Sequence, residues 1–190
     1  STAAVGLPSV KKLGNPQPRY TLGWNNTIEI AHSWTIGFLF DGRFGGKVMS
    51  VTQAVLDANG DSKATADARD AGGVTLNNAV KADGSKFSGK VDALTFYNAV
   101  GNTNGIGEYY MYDATAVRLR EASLTYRIPV QAKWVHSLSV AVIGKNLFFI
   151  TKKAPFDPEL SMATSNFLQG VETFGLPSTR SLGASVKLSF

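Results

Sequence analysis

The side chains able to carry chemistry are few and scattered. His32 and His136 are the only histidines, and there is no cysteine. A thiolate nucleophile, a disulfide framework and a cysteine-ligated zinc site are therefore excluded. Neither histidine has a serine and a carboxylate spaced to form a triad with it, and no HExxH-type spacing is present. The chain is read as a non-enzyme. Asp157 and Glu159 flank Pro158; a carboxylate pair can divide the roles of acid and base, but charges around a proline also suit a turn, and turn chemistry is the reading taken. The tract Asp57-Ala58-Asn59-Gly60-Asp61 offers oxygen ligands at alternate positions, as a calcium loop does. Its sixth position is Ser62 where that loop needs glycine, and its twelfth is Ala68 where it needs glutamate. No metal site and no cofactor is expected; calcium is the one ion the tract could suit, with a plain Asn-Gly turn as the competing reading. Tyr97, Tyr109, Tyr110 and Tyr112 interleave with Asn98, Asn102, Asn104 and Glu108. Rings stack on the apolar faces of sugars and amides take hydroxyls, so these four tyrosines are the candidate ligand-binding residues; the alternative is that they pack the loop against a lid or neighbouring loops.

The elements that must position these residues announce themselves by alternation. Tyr20, Leu22, Trp24, Ile28 and Ile30 share one parity, and Thr21, Gly23, Asn25, Thr27 and Glu29 the other. That period of two predicts a strand. After Ala31, His32 and Ser33 the pattern resumes with Trp34, Ile36, Phe38 and Phe40, which predicts a tight hairpin. Further strands are predicted over 121–128, over 138–150 and over 181–190, the first ended by Pro129, which cannot donate to a ladder, and the last the cleanest of all, with Leu182, Ala184, Val186, Leu188 and Phe190 on one side. Five strands of about ten residues exceed the usual soluble length and match what a tilted strand needs to cross a bilayer.

Composition agrees with that length. Of 190 residues, 44% are hydrophobic but only 17% charged, and the net charge of +5 gathers into no run or patch. Disorder and a nucleic-acid footprint are excluded. No apolar stretch approaches a membrane helix, which leaves a membrane barrel open. Alternating strand direction puts the turns at 31–33 and 130–137 on one rim, and the segments 42–115 and 151–178 on the other. Short turns opposite long loops are the asymmetry of outer-membrane barrels, periplasmic on one side and extracellular on the other. Aromatics on the apolar parity fall at both rims: Trp34, Tyr126 and Phe190 at the turn end, Tyr20, Phe40 and Phe148 at the loop end. Such rings are expected to form lipid-facing girdles at the two headgroup levels.

Some positions depart from the pattern. Asn26 and Asn146 fall on the lipid parity, so each requires a bulge, an interfacial depth or a hydrogen-bonded neighbour. Val117 and Leu119 have the opposite phase from Ala122 onward, with Arg118 and Arg120 on the even side; the strand is read as rising above the membrane there, where alternation lapses. Leu39, Ile143 and Leu147 point inward, which an occupied interior accepts. Within the segment 42–115, the run from Ser62 to Asp70 predicts a short helix ended by Gly72-Gly73.

Several motifs in order resemble the C-terminal end of the SusC/RagA family of TonB-dependent outer-membrane transporters. They are Asn15-Pro16, Arg19-Tyr20-Thr21-Leu22-Gly23, Phe40-Asp41-Gly42-Arg43-Phe44-Gly45-Gly46, Val117 to Tyr126, Gly144-Lys145-Asn146-Leu147-Phe148, Asp157-Pro158-Glu159 and Gly175-Leu176-Pro177-Ser178-Thr179-Arg180. The resemblance implies an all-β fold, an antiparallel transmembrane β-barrel of about 22 strands with a plugged lumen, of which this chain holds the five C-terminal strands. Residues 1–18 would then be an extracellular loop segment and residues 19–190 barrel, with extracellular loops at 42–115 and 151–178. Five strands cannot close, so the chain is expected to be a piece paired with the remaining barrel and plug. The implied function is TonB-dependent import of a nutrient across the outer membrane, an oligosaccharide in the first place and an oligopeptide in the second. The implied partners are a SusD-like surface lipoprotein, outer-membrane lipid and the TonB complex, the last through a segment absent here. Glu29 and Asp41, on the lumen parity, are expected to pair with plug residues or water and to relay no protons. The competing readings are a passive porin and a soluble β-sandwich binding module whose apolar parity faces a second sheet.

Overall fold

The computed structural model describes residues 12–102, 105–131, 134–163, 165 and 168–190. Asn104 and most of the segment 1–18 lie outside the described residues. In chain order the elements are β1 (Tyr20–Ile30), β2 (Trp34–Phe44), β3 (Lys47–Ser50), α1 (Val51–Asn59), α2 (Lys63–Asp70), β4 (Val74–Thr75), β5 (Lys90–Val91), α3 (Ala93–Gly101), β6 (Met111–Asp113), β7 (Ala116–Ile128), β8 (Ser137–Lys152), β9 (Val171–Glu172) and β10 (Ser181–Ser189). A single 3₁₀ turn runs from Gly107 to Tyr110. Two compact units result: a sheet unit of residues 16–48, 112–171 and 175–190, and a helical unit of residues 49–111 with short flanking pieces.

In the sheet unit, β1, β2, β7, β8 and β10 form one antiparallel meander in that order. Reading across it at one level gives Ile28, Ile36, Leu124, Val142 and Ala184, a row that is apolar throughout. One residue along, the row is Thr27, Gly37, Ser123, Ile143 and Gly183, which is small or polar save for one isoleucine. Side chains of neighbouring rows point to opposite faces, so the sheet has one greasy and one polar side. The greasy side is bare: Val142 is 60% exposed and Val186 71%. At the rim, Ala31 and His32 both take left-handed backbone (φ 50° and 58°), as a type I′ hairpin turn requires, and the Ser33 amide donates to the Ile30 carbonyl at 3.3 Å.

The phase change in β7 has a different cause from the one the sequence suggested. Leu39 pairs with Glu121 and Phe40 with Leu119, so Arg120 is an extra residue. This bulge returns Leu119 and Val117 to the greasy face beside Phe40 and Gly42, and sets Arg118 opposite Asp41 on the polar face. The strand stays paired and the alternation is reset, not lost. A matching irregularity in β8, where Glu121 pairs with Lys145 but Leu119 with Phe148, carries Asn146 at φ 50°.

The helical unit replaces much of what was read as loop. The helix expected over Ser62 to Asp70 is α2, with Ser62 as its N-cap. Two further helices were not anticipated: α1, capped by the Ser50 hydroxyl on the Gln53 amide, and α3, capped by Asp92 on Thr95. Ala54, Ala93, Tyr97, Val100 and Tyr110 make the core between them. The calcium tract is the end of α1: Asp57 is buried and its carboxylate takes the Gln53 amide at 2.7 Å, while Gly60 closes the helix in left-handed backbone. Among the described residues no group of three His, Cys, Asp or Glu converges as a metal site.

Candidate functional site

Bulging at Arg120 brings two arginines from one strand onto the polar face, where acids from distant segments meet them. Arg118, with a side chain 3% exposed, donates through Nη2 to both oxygens of Asp157 at 3.0 and 2.9 Å. Arg120 donates to both oxygens of Glu159, at 2.7 Å from Nη2 and 3.1 Å from Nη1, and also to Asp41. The Arg43 Nε lies 3.5 Å from Glu159. Asn146 accepts from Arg118 at 3.4 Å and Arg120 at 3.3 Å, and its own amide donates to the Thr179 carbonyl at 3.3 Å. That bonding explains how an asparagine sits in β8 despite its polarity. The Arg118 guanidinium also lies over the Phe149 ring, its Cζ 4.1 Å from the centroid.

The pairing corrects two readings of the sequence. Asp41 takes a partner within its own chain, Arg120, where a plug residue or water was expected. Asp157 and Glu159 do more than turn: the Ser178 hydroxyl donates to Asp157 at 2.5 Å, so the cluster clasps the start and the end of the segment between β8 and β10 onto the sheet. Burial alone would push the Asp157 carboxyl up; the Ser178 hydroxyl, the Glu159 amide and the Arg118 charge together outweigh it and hold the carboxyl below the usual carboxylate range. Nearby, the Thr115 hydroxyl and amide, with Lys153 at 3.0 Å, hold Asp113 at about 2. With Arg43, Arg118 and Arg120 set against Asp41, Asp157 and Glu159, the clasp is charge-balanced and its acids are spent on cations. It positions a loop; it offers no free acid or base.

The tyrosines separate by environment. Tyr97 and Tyr110 are buried in the core of the helical unit, with Phe96 edge-on to Tyr97 at 5.1 Å. Tyr109 is half exposed and stands edge-on to both Phe96 and Tyr110. Tyr112 belongs to the sheet unit, edge-on to Phe156 at 5.5 Å. Of the six girdle residues, Tyr20, Trp34, Phe148 and Phe190 are largely exposed on the greasy face. Trp34 and Tyr126 pair across strands with rings 4.4 Å apart; Phe40 stacks on Trp24 at 5.6 Å. His32 lies in the first hairpin turn and His136 beside β8, its amide donating to the Ser189 carbonyl.

No family model matches the chain. It is 24% identical over 188 residues to a TonB-dependent receptor of Formosa agariphila, a match that takes in 95% of this chain and 17% of that receptor. Among solved structures it is similar to the RagAB peptide importer in its open-open state, with a TM-score of 0.61 at 19% identity over 93% of this chain and 18% of that one. The closed-closed state of the same importer gives a TM-score of 0.53 at 18% identity, over 90% and 16%. The chain thus spans less than a fifth of the length of these relatives. Its fold is similar to a stretch of the β-barrel wall of those solved structures, in agreement with the two-faced sheet.

Proposed function

We propose that this chain supplies wall and outer loops to a TonB-dependent importer that carries oligosaccharides across the outer membrane, with oligopeptides as the second substrate class. The carrying observation is the sheet of five strands, greasy and bare on one face, polar on the other, with β1 and β10 as edges for further strands. Lipid satisfies the first face and a lumen the second. The arginine clasp fits the same reading, since a loop tied to the polar face narrows an entrance from the inside. Half-exposed Tyr109 is the ring best placed to meet a sugar, and Tyr97 and Tyr110 support it from the core. A plug, a SusD-like surface lipoprotein and the TonB complex complete the transporter. The peptide importer among the similar structures favours keeping the second class in view.

Uptake by cells carrying the full-length transporter tests this. Labelled oligosaccharides and oligopeptides are offered with and without a working TonB complex. Uptake of at least one class is expected to cease without TonB. Uptake that continues unchanged, together with steady ion conductance of the purified protein in planar bilayers, would instead establish a passive porin.

A further inference from the structure

Beside the clasp, the polar face of the sheet unit carries a cavity of about 330 Å³, a size that suits one end of a small ligand. Thr21 and Arg43, partners across β1 and β2, form its floor at the long-loop end. Its walls are built closely. Gly46, at φ +88°, lies where a Cβ would come within 2.9 Å of the Pro16 carbonyl. Gly170, at φ +74°, lies where a Cβ would come within 2.7 Å of the Pro16 ring and 2.9 Å of the Lys47 carbonyl. Only glycine fits either place, so residues 16–18 are held between two other segments. The Gln17 amide then donates to the Gln169 side-chain oxygen at 2.7 Å and ties the third wall.

Its charge is not balanced. Arg43 and Lys47 line it against the one acid Glu159, and Glu159 is already held by two short contacts to Arg120, leaving Arg43 a single contact of 3.5 Å. Lys47 has no ion pair or side-chain hydrogen bond among the described residues. Across clasp and cavity, Arg43, Lys47, Arg118 and Arg120 meet only Asp41, Asp157 and Glu159; the cation in excess, Lys47, beside an Arg43 held at 3.5 Å, makes a site for an anion carried on a hydrogen-bonding ligand. We infer that this cavity recognises a carboxylate group of the transported molecule, with Arg43 and Lys47 as its specificity-determining cations. This deepens the import reading and rests on it: the substrate is acidic, whether the carboxylate belongs to a sugar acid or to a peptide.

The test is calorimetric titration of the full-length transporter with its lipoprotein partner, in detergent. Four probes are used: trigalacturonic acid, its methyl ester, a tripeptide with a free C-terminus and its C-terminal amide. The wild type is expected to favour the free acid of at least one pair about tenfold, as charge-assisted bonds of this kind would give. Whichever pair shows the preference identifies the source of the carboxylate; both pairs doing so means that the cavity reads the carboxylate alone. Lys47→Gln and Arg43→Gln should each erase most of the preference by weakening the acid and leaving the ester or amide unmoved. Lys47→Gln removes no ion pair or side-chain hydrogen bond among the described residues, so unchanged heat-modified migration is expected and guards against misfolding. Equal binding of acid and neutral forms, a preference that survives both substitutions, or no binding of any probe would overturn the proposal. The import reading fails separately, if cells accumulate neither acidic nor neutral probes through TonB.

Discussion

Burying Arg118 against Asp157 removes two charges from water, which costs several kcal/mol per ion unless geometry returns it. Here the return comes from both carboxylate oxygens, the Ser178 hydroxyl and the Glu159 amide. Removing one partner leaves the other stranded. Arg118→Met should therefore destabilise the full-length barrel by about 3–5 kcal/mol, whereas Arg118→Met with Asp157→Leu should lose far less. Denaturant unfolding in detergent, read as a double-mutant cycle, checks this. Acid should act in the same direction. Asp157 is held below its ordinary carboxylate value, so the stability it lends is complete above an unfolded value of about 4 and is lost as pH falls through the depressed folded value. Limited proteolysis of residues 153–178 should accordingly be slow from neutral pH down to about 4 and accelerate below it. In Arg118→Met that protection should already be missing at neutral pH.

Among the elements, the irregularity of β8 rests on Asn146, which combines left-handed backbone with three side-chain bonds. These two duties can be separated by substitution. Asn146→Gly keeps the backbone at ease and loses the amide; Asn146→Ala loses the amide and adds strain of roughly 1 kcal/mol or more. Ala should be the less stable of the two by about that amount in denaturant midpoints, and equal stability would mean that the bulge holds without a left-handed residue. Strand boundaries were legible in the sequence because lipid on one side and lumen on the other enforce strict alternation: β1 runs from Tyr20 to Ile30, where the pattern placed it. The bulge was half legible. Reversed parity at Val117 and Leu119 was visible, but alternation cannot say whether a phase is lost or reset. The clasp was missed because Arg118 and Asp157 are 39 residues apart, beyond any local spacing. A signal did exist: Arg118 and Arg120, two apart and out of phase, are answered by Asp157 and Glu159, also two apart. Helices α1 and α3 left a weaker trace, being nine residues each and marked chiefly by their caps at Ser50 and Asp92.

For the chain as part of a barrel, everything turns on which solvent meets the greasy face. In a soluble sandwich, a second sheet would bury Leu22, Val140, Val142 and Val186, as core packing demands. Yet among the described residues the buried apolar ones of the sheet unit are Val48, Ala116 and Ala154, at the long-loop ends of its strands and not in their middles. Rings mark the rows of Trp34 with Tyr126 and of Phe40 with Phe148 toward the rims, where ring faces suit headgroups; between them lie the aliphatic row of Ile36 and a row in which Phe38 faces Asn26 and Ala122. A charge should therefore be tolerated or refused according to face. Val142→Arg, one row inward from the girdle row of Trp34, Tyr126 and Val140, puts a guanidinium among acyl chains and should cost about 2–4 kcal/mol toward the bilayer middle, while Lys187 on β10 already carries a charge on the polar side. Unfolding of the full-length protein from lipid vesicles should show that cost for Val142→Arg and almost none for Lys187→Arg. Spin labels at Leu22, Val140 and Val186 should in turn be relaxed by a lipid-soluble quencher and ignored by a water-soluble one. Were a label at Val186 shielded from lipid, or Val142→Arg neutral in vesicles, the face would belong against protein and the barrel reading would fall with it.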